Sequence, residues 1–128
     1  MKLLLDTCTF LWIITDDPRL SPKAKGLFAD PEHDVYLSVA STWEIAAKYK
    51  LSRLPLPEAP EKYIPQKRAE HDVDSLPLIE QAILYLPKLP DLHRDPFDRI
   101  LICQAIVGGL CLLTPDALIT QYPVHAEW

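Results

Sequence analysis

Glycine is scarce in this chain, which carries only Gly26, Gly108 and Gly109 in 128 residues. That excludes a glycine-rich phosphate loop, so the triplet His93, Arg94, Asp95, which spells the start of a kinase catalytic loop, stands without its partner motif. Ile100 occupies the place of the Asn such a loop needs. Cysteine is equally sparse: Cys8, Cys103 and Cys111 are odd in number and share no metal-finger spacing. They read as reduced thiols, with Cys103 and Cys111 as core residues, rather than as a disulfide frame. The four histidines, His33, His71, His93 and His125, form no HxxxH or HExxH pair, which removes a zinc protease.

Long apolar runs are missing too. The longest, residues 100–113, falls short of the ~20 residues of a spanning helix and is interrupted by Gln104, Gly108 and Gly109. The opening residues lack the order of a secretory signal, so the expectation is a cytoplasmic protein without a membrane. Positive charge is in deficit, with 13 Lys and Arg against 18 Asp and Glu for a net charge of −5. That balance argues against a nucleic-acid partner, because phosphate contacts need cations. The objection weakens where several acids gather around bound cations.

What is present is apolar residues in quantity, 48% hydrophobic against 24% charged, enough for one domain over residues 1–128 with a sizeable core. Residues 2–5 read as a strand ending at Asp6, and 9–14 as a helix. Ser21 and Pro22 cap and open a second helix running to Ala29. Residues 35–39 read as a strand, and Ser41-Thr42-Trp43-Glu44 as a capping box before a helix over 45–51. Prolines punctuate a loop from 52 to 65, with a short helix after it. Residues 71–76 read as a strand and 77–86 as a helix. Asp95 then caps a helix from Pro96 to Val107 that stops at Gly108 and Gly109. Residues 110–113 form an apolar strand, Thr114-Pro115-Asp116 opens a short helix, and 122–124 closes the sheet. Apolar strands alternating with helices predict an α/β fold: a central, mostly parallel sheet flanked by helices in three layers.

Four carboxylates share one address in that topology. Asp6 ends the first strand, Asp116 follows the strand over 110–113, and Glu44 and Asp98 fall on first turns of helices. The crevice beyond the carboxyl ends of parallel strands is where ligands bind, so residues 6, 44, 98 and 116 are predicted to converge there. Two like charges about 4 Å apart repel by roughly 4 kcal/mol at an effective dielectric of 20. A hard divalent cation offsets this most fully, and oxygen ligands suit Mg2+ or Mn2+ better than zinc. Such ions activate water for attack on a phosphodiester. The same acids also fit plain helix punctuation, Glu44 in a capping box, Asp98 and Asp116 in first turns and Asp6 as an N-cap. That reading explains the residue types but not their shared address.

Around the acids, Asp95 reads as a helix cap placed behind the ligands. Thr7, Ser38, Ser41 and Thr114 read as turn or cap residues that also suit holding water or phosphate. Arg94 and Arg99 suit a carboxylate partner or a phosphate equally. Lys48 and Lys50 read as solvated charge, and Trp12 and Trp43 as core in preference to base-stacking platforms.

Leu4-Leu5-Asp6-Thr7, Ser-x-x-Ser-x-Trp-Glu-Ile over 38–45, His-Arg-Asp-Pro-Phe-Asp-Arg over 93–99 and Leu-Leu-Thr-x-Asp over 112–116 occur in order across almost the whole chain. With these motifs the chain resembles PIN-domain proteins, and among them the VapC-type toxin ribonucleases of bacterial and archaeal toxin–antitoxin pairs. The resemblance implies an endoribonuclease dependent on Mg2+ or Mn2+, with Asp6, Glu44, Asp98 and Asp116 at the family's acidic positions and Asp6 and Asp98 foremost as metal ligands. It also implies a homodimer, an RNA substrate, and a small antitoxin that threads a segment into the acidic pocket. Cys8 stands where relatives often carry His, and Pro115 where they often carry Arg or Lys. Two other classes fit the acid set: a catalytically silent acidic groove that binds a partner, and a metal phosphatase acting on small phosphoesters.

Overall fold

The computed structural model describes residues 1–128 and is built on a five-stranded sheet in the order β3-β2-β1-β4-β5, parallel throughout. The strands are β1 (Lys2–Leu5), β2 (Asp34–Ser38), β3 (Val73–Leu76), β4 (Cys111–Leu113) and β5 (Ala126–Glu127). The helices are α1 (Thr7–Ile14), α2 (Pro22–Ala29), α3 (Val39–Lys50), α4 (Pro60–Glu70), α5 (Glu80–Ile83) and α6 (Pro96–Gly108), with 3-10 turns at Leu86–Lys88 and Ile119–Gln121.

The period of two along a strand divides the core. Leu3 and Leu5 of β1, with Leu37 and Leu113, face Phe10, Ile13, Ile45 and Ile64. Leu4 and Leu112 point the other way, onto Leu101, Ile102, Ala105, Ile119 and Tyr122. Both faces of the sheet are therefore covered, which is why its central strands carry unbroken apolar runs. Each fully buried leucine contributes about 1.5–3 kcal/mol of transfer free energy. Register places Leu3 beside Val35 and Cys111, and Leu5 beside Leu113, so β1 is the axis of the molecule.

Several boundaries differ from the sequence expectation. α1 starts at Thr7, because Asp6 is itself the N-cap, its carboxylate accepting from the Thr7 N–H at 2.7 Å. α3 starts at Val39, capped by Ser38, whose hydroxyl accepts from the Ala40 N–H at 3.0 Å. The Ser41–Glu44 pair is thus no capping box, and Glu44 lies a turn further into the helix. α4 occupies part of the proline-punctuated stretch and carries Pro65 in its interior. Burial of Tyr63 and Ile64 against the core outweighs the hydrogen bond that Pro65 cannot make. The closing strand is Ala126–Glu127, since the Tyr122 ring is buried with the α6 face instead of pairing with β4. Pro77 to Ile79 lie outside any helix, Ile79 in extended backbone as the cap, which shortens the helix expected over 77–86 to α5 and a 3-10 turn.

Candidate active site

All four acids named from the sequence line one cleft of about 300 Å³. It opens where parallel topology puts it, beyond the carboxyl ends of β1, β2 and β4. Asp6 leaves the end of β1, its N–H donating to the Leu113 carbonyl at 3.1 Å. One carboxylate oxygen takes the cap bond from Thr7 and the other accepts the Thr114 hydroxyl at 2.6 Å. Thr114 in turn accepts the Asp116 N–H at 3.1 Å, so a single hydroxyl couples the ends of β1 and β4. Asp116 belongs to no helix. Its Oδ1 accepts from the Leu118 N–H at 2.9 Å, an Asx turn ahead of the 3-10 turn.

Glu44 reaches the cleft from α3 and is buried. The Thr7 hydroxyl donates to its Oε1 at 2.7 Å while accepting from Ser41 at 2.9 Å, and Lys48, one turn along, pairs with Oε2 at 2.5 Å. Lys48 therefore lines the site while its side chain stays exposed to solvent. Its pairing with Glu44 holds its ammonium above the usual lysine range. The i, i+4 spacing of Glu44 and Lys48 was a legible signal for that bond.

Asp98 sits on the first turn of α6, where Asp95 is the N-cap, accepting from the N–H groups of Phe97 at 2.8 Å and Asp98 at 3.3 Å. Burial, with the charges of Asp6 and Asp95 added, pushes the Asp98 carboxyl up to about 7. Burial also raises Asp6, against the hydrogen bonds from Thr114 and Thr7. In both acids burial is the main cause of the shift, and the neighbouring carboxylates add to it. Cys8 lines the same cleft, yet burial and Asp6 push its thiol up to about 12, which leaves it a poor nucleophile.

The residue that sequence reasoning did not single out is His93. Its Nε2 lies 2.8 Å from Asp116 Oδ2 and 3.1 Å from Asp98 Oδ2. One ligand atom from each of His93, Asp98 and Asp116 lies within 4.8 Å of the others. Burial disfavours the charged ring, but the Asp116 hydrogen bond and the neighbouring carboxylates together raise His93 above its ordinary value. Only its position at the head of the 93–99 motif pointed to it. The clustered carboxylate oxygens suit a hard divalent cation, so the residues present fit Mg2+ or Mn2+.

Other expectations separate. Arg99 donates to the carbonyls of Pro90 and His93 at 3.1 and 3.3 Å and to the Tyr122 hydroxyl at 3.4 Å, so it ties down the loop before α6 rather than gripping phosphate. Arg94 is exposed beside it. Ser38 is engaged in its cap and in a bond to Gln104. Trp43 is 63% exposed and meets Phe97 edge-on at 5.0 Å, so it is not core. Trp12 is half-buried against Trp128, with the Arg19 guanidinium over its ring.

The PIN domain family model matches residues 3–124, and the chain belongs to that family. Over 54 residues, 39% of this chain and 38% of the relative, it is 39% identical to Ribonuclease VapC16 of Mycobacterium tuberculosis. The match thus spans well under half of that protein's length. Among solved structures it resembles VapBC2 from Rickettsia felis bound to a DNA fragment from their promoter, with a TM-score of 0.68, 17% identity and coverage of 99% of this chain and 98% of the other. DNA-bound VapBC from Salmonella typhimurium gives 0.69 at 17% identity, covering 99% and 97%. No helix is long and apolar enough to cross a membrane.

Proposed function

We propose that this protein is an endoribonuclease dependent on Mg2+ or Mn2+ that acts as the toxin of a toxin–antitoxin pair. The observation that carries the reading is the convergence of Asp6, Glu44, Asp98 and Asp116 on one cleft from four separate stretches of chain. Membership of the PIN domain family and the local identity to a ribonuclease support it.

Asp6, Asp98 and Asp116 would hold the cation through carboxylate oxygens, with Glu44, whose oxygens face Thr7 and Lys48, completing the acidic wall. When bound, divalent ions supply an activated water and neutralise charge developing on the phosphodiester. The protein supplies orientation. Thr114 and Thr7 fix Asp6 and Glu44 from behind, Lys48 balances Glu44, and the cap at Asp95 sets the start of the helix carrying Asp98. Thr7, Ser41 and Thr114 thus serve the acids, and Arg94, exposed next to the α6 cap, is a cation free to meet an RNA phosphate. The chain works in the cytoplasm as a homodimer and is restrained by a small antitoxin that fills the acidic cleft. Solved structural neighbours that are VapBC assemblies support that partnership.

The test is RNA cleavage with added Mg2+ or Mn2+ and with chelator, in the native protein and in Asp6→Ala and Asp98→Ala. Cleavage that requires the ion and falls at least 100-fold in both variants is expected. Activity that survives both changes removes the proposal, and turnover of a nucleotide monoester in place of RNA points to a phosphatase.

A further inference from the structure

His93 with Asp98 and Asp116 has the outline of a three-ligand metal site, but the second nitrogen of the ring decides otherwise. The backbone N–H of Asp95 points at His93 Nδ1 at 3.1 Å. A peptide N–H only donates, so Nδ1 offers its lone pair there and carries no proton. The proton of a neutral imidazole then sits on Nε2, the atom facing Asp116 Oδ2 at 2.8 Å and Asp98 Oδ2 at 3.1 Å. A nitrogen that bears a proton in the ring plane has no lone pair there for a metal. Turning the ring over would set carbon atoms against all three polar partners.

The surroundings hold this arrangement in place. Asp95 is the cap of α6, so the direction of its N–H is tied to the helix that carries Asp98. The His93 N–H donates to the Tyr122 hydroxyl at 2.7 Å, and its carbonyl accepts from Arg99. Asp116 is gripped from both sides, by Leu118 N–H on Oδ1 and His93 on Oδ2.

We propose that His93 is a positioning residue of the cleft: locked with its proton on Nε2 by the Asp95 N–H, it remains a hydrogen-bond donor to Asp116, with Asp98 alongside, when the cation binds, and leaves the metal an all-oxygen ligand set. The statement about the loaded site rests on the metal-dependent reading above; the tautomer does not. The consequence is a preference for hard cations, because the one imidazole at the site is withheld from coordination.

The experiment is long-range 1H–15N correlation of the histidine rings, recorded above neutrality without cation and with saturating Mg2+, His93 being assigned by the signal lost in His93→Gln. The expected spectrum shows a bare Nδ1 and a protonated Nε2 in both states. Calorimetry with Mg2+ is the second readout. His93→Ala weakens binding by about 10–100-fold, the usual effect of losing a group behind a metal ligand. His93→Gln, whose amide N–H replaces the donor, recovers most of the loss. A protonated Nδ1 without cation, loss of the Nε2 proton on adding Mg2+, unchanged binding in His93→Ala, or no recovery in His93→Gln overturns the proposal. If the native protein takes up no Mg2+, the metal-dependent reading fails, and the cation-free spectrum still decides the tautomer.

Discussion

Thr114 donates its hydroxyl to Asp6 Oδ2 at 2.6 Å across 108 positions of sequence, joining the ends of the neighbouring strands β1 and β4 beneath the acidic cleft. Both residues are buried, so the bond is made away from competing water. Thr114→Val keeps the shape and deletes the donor, leaving a buried carboxylate oxygen unsatisfied. The expected cost is about 1–3 kcal/mol of unfolding free energy by denaturant titration, with Thr114→Ser costing much less. A loss in Thr114→Ser with none in Thr114→Val would show that the methyl group, not the hydroxyl, matters.

The pH dependence follows from Asp98. Its carboxyl stands near 7 in the folded chain against an ordinary 3.8, chiefly through burial. The folded state therefore binds more protons than the unfolded state between those values, and stability falls as pH rises from about 4 to about 7. Asp6 acts in the same direction. Asp98→Asn is expected to raise the melting midpoint above neutrality and to lose that gain below pH about 4. Melting curves across that range check the sign. A variant that destabilises at neutral pH would place the Asp98 charge in a favourable environment.

Cation and pH should act on the same groups. Mg2+ or Mn2+ raises the melting temperature of the native protein most above neutrality, where Asp98 is ionised, and least in acid. Chelator reverses the shift. In Asp98→Asn the increment shrinks to a small fraction of its native size, which thermal melts with and without the ion will read.

Two arginines five residues apart make a contrast. Arg99 holds two loop carbonyls and the Tyr122 hydroxyl, so Arg99→Ala should cost about 1–3 kcal/mol of stability. Arg94 is exposed, and Arg94→Ala should stay within about 0.5 kcal/mol of the native protein. The same denaturant titration separates them.

Trp43 gives a similar check on burial. A core tryptophan replaced by alanine loses about 3–5 kcal/mol. At 63% exposed and with one edge-on contact to Phe97, Trp43→Ala should lose about 1 kcal/mol or less. A core-sized loss would mean that the ring packs more deeply than its exposure indicates.

Much of this architecture was legible because it follows local rules. The run Leu3-Leu4-Leu5 announces a strand covered on both faces, and Asp95-Pro96 with Gly108-Gly109 marks both ends of α6. The convergence of the four acids follows from where parallel strands end. What escaped was set by tertiary contact. Ser38 outcompetes Ser41 as the α3 cap because it ends β2 in the right geometry, and Ser41 is thereby freed to bond Thr7. α4 forms through Pro65 because Tyr63 and Ile64 have a core to enter. His93 has no local signature of its role, since its hydrogen bonds run to a backbone N–H two residues on and to Asp116, a carboxylate that folding alone brings near.

The proposed activity depends on cations sitting among Asp6, Asp98 and Asp116. The most direct measurement is a crystal structure grown with Mn2+ and recorded for its anomalous signal. An anomalous peak is expected within the cleft, coordinated by oxygens of those three carboxylates. A cleft without a peak at saturating Mn2+, with the acids arranged as they are here, would contradict it.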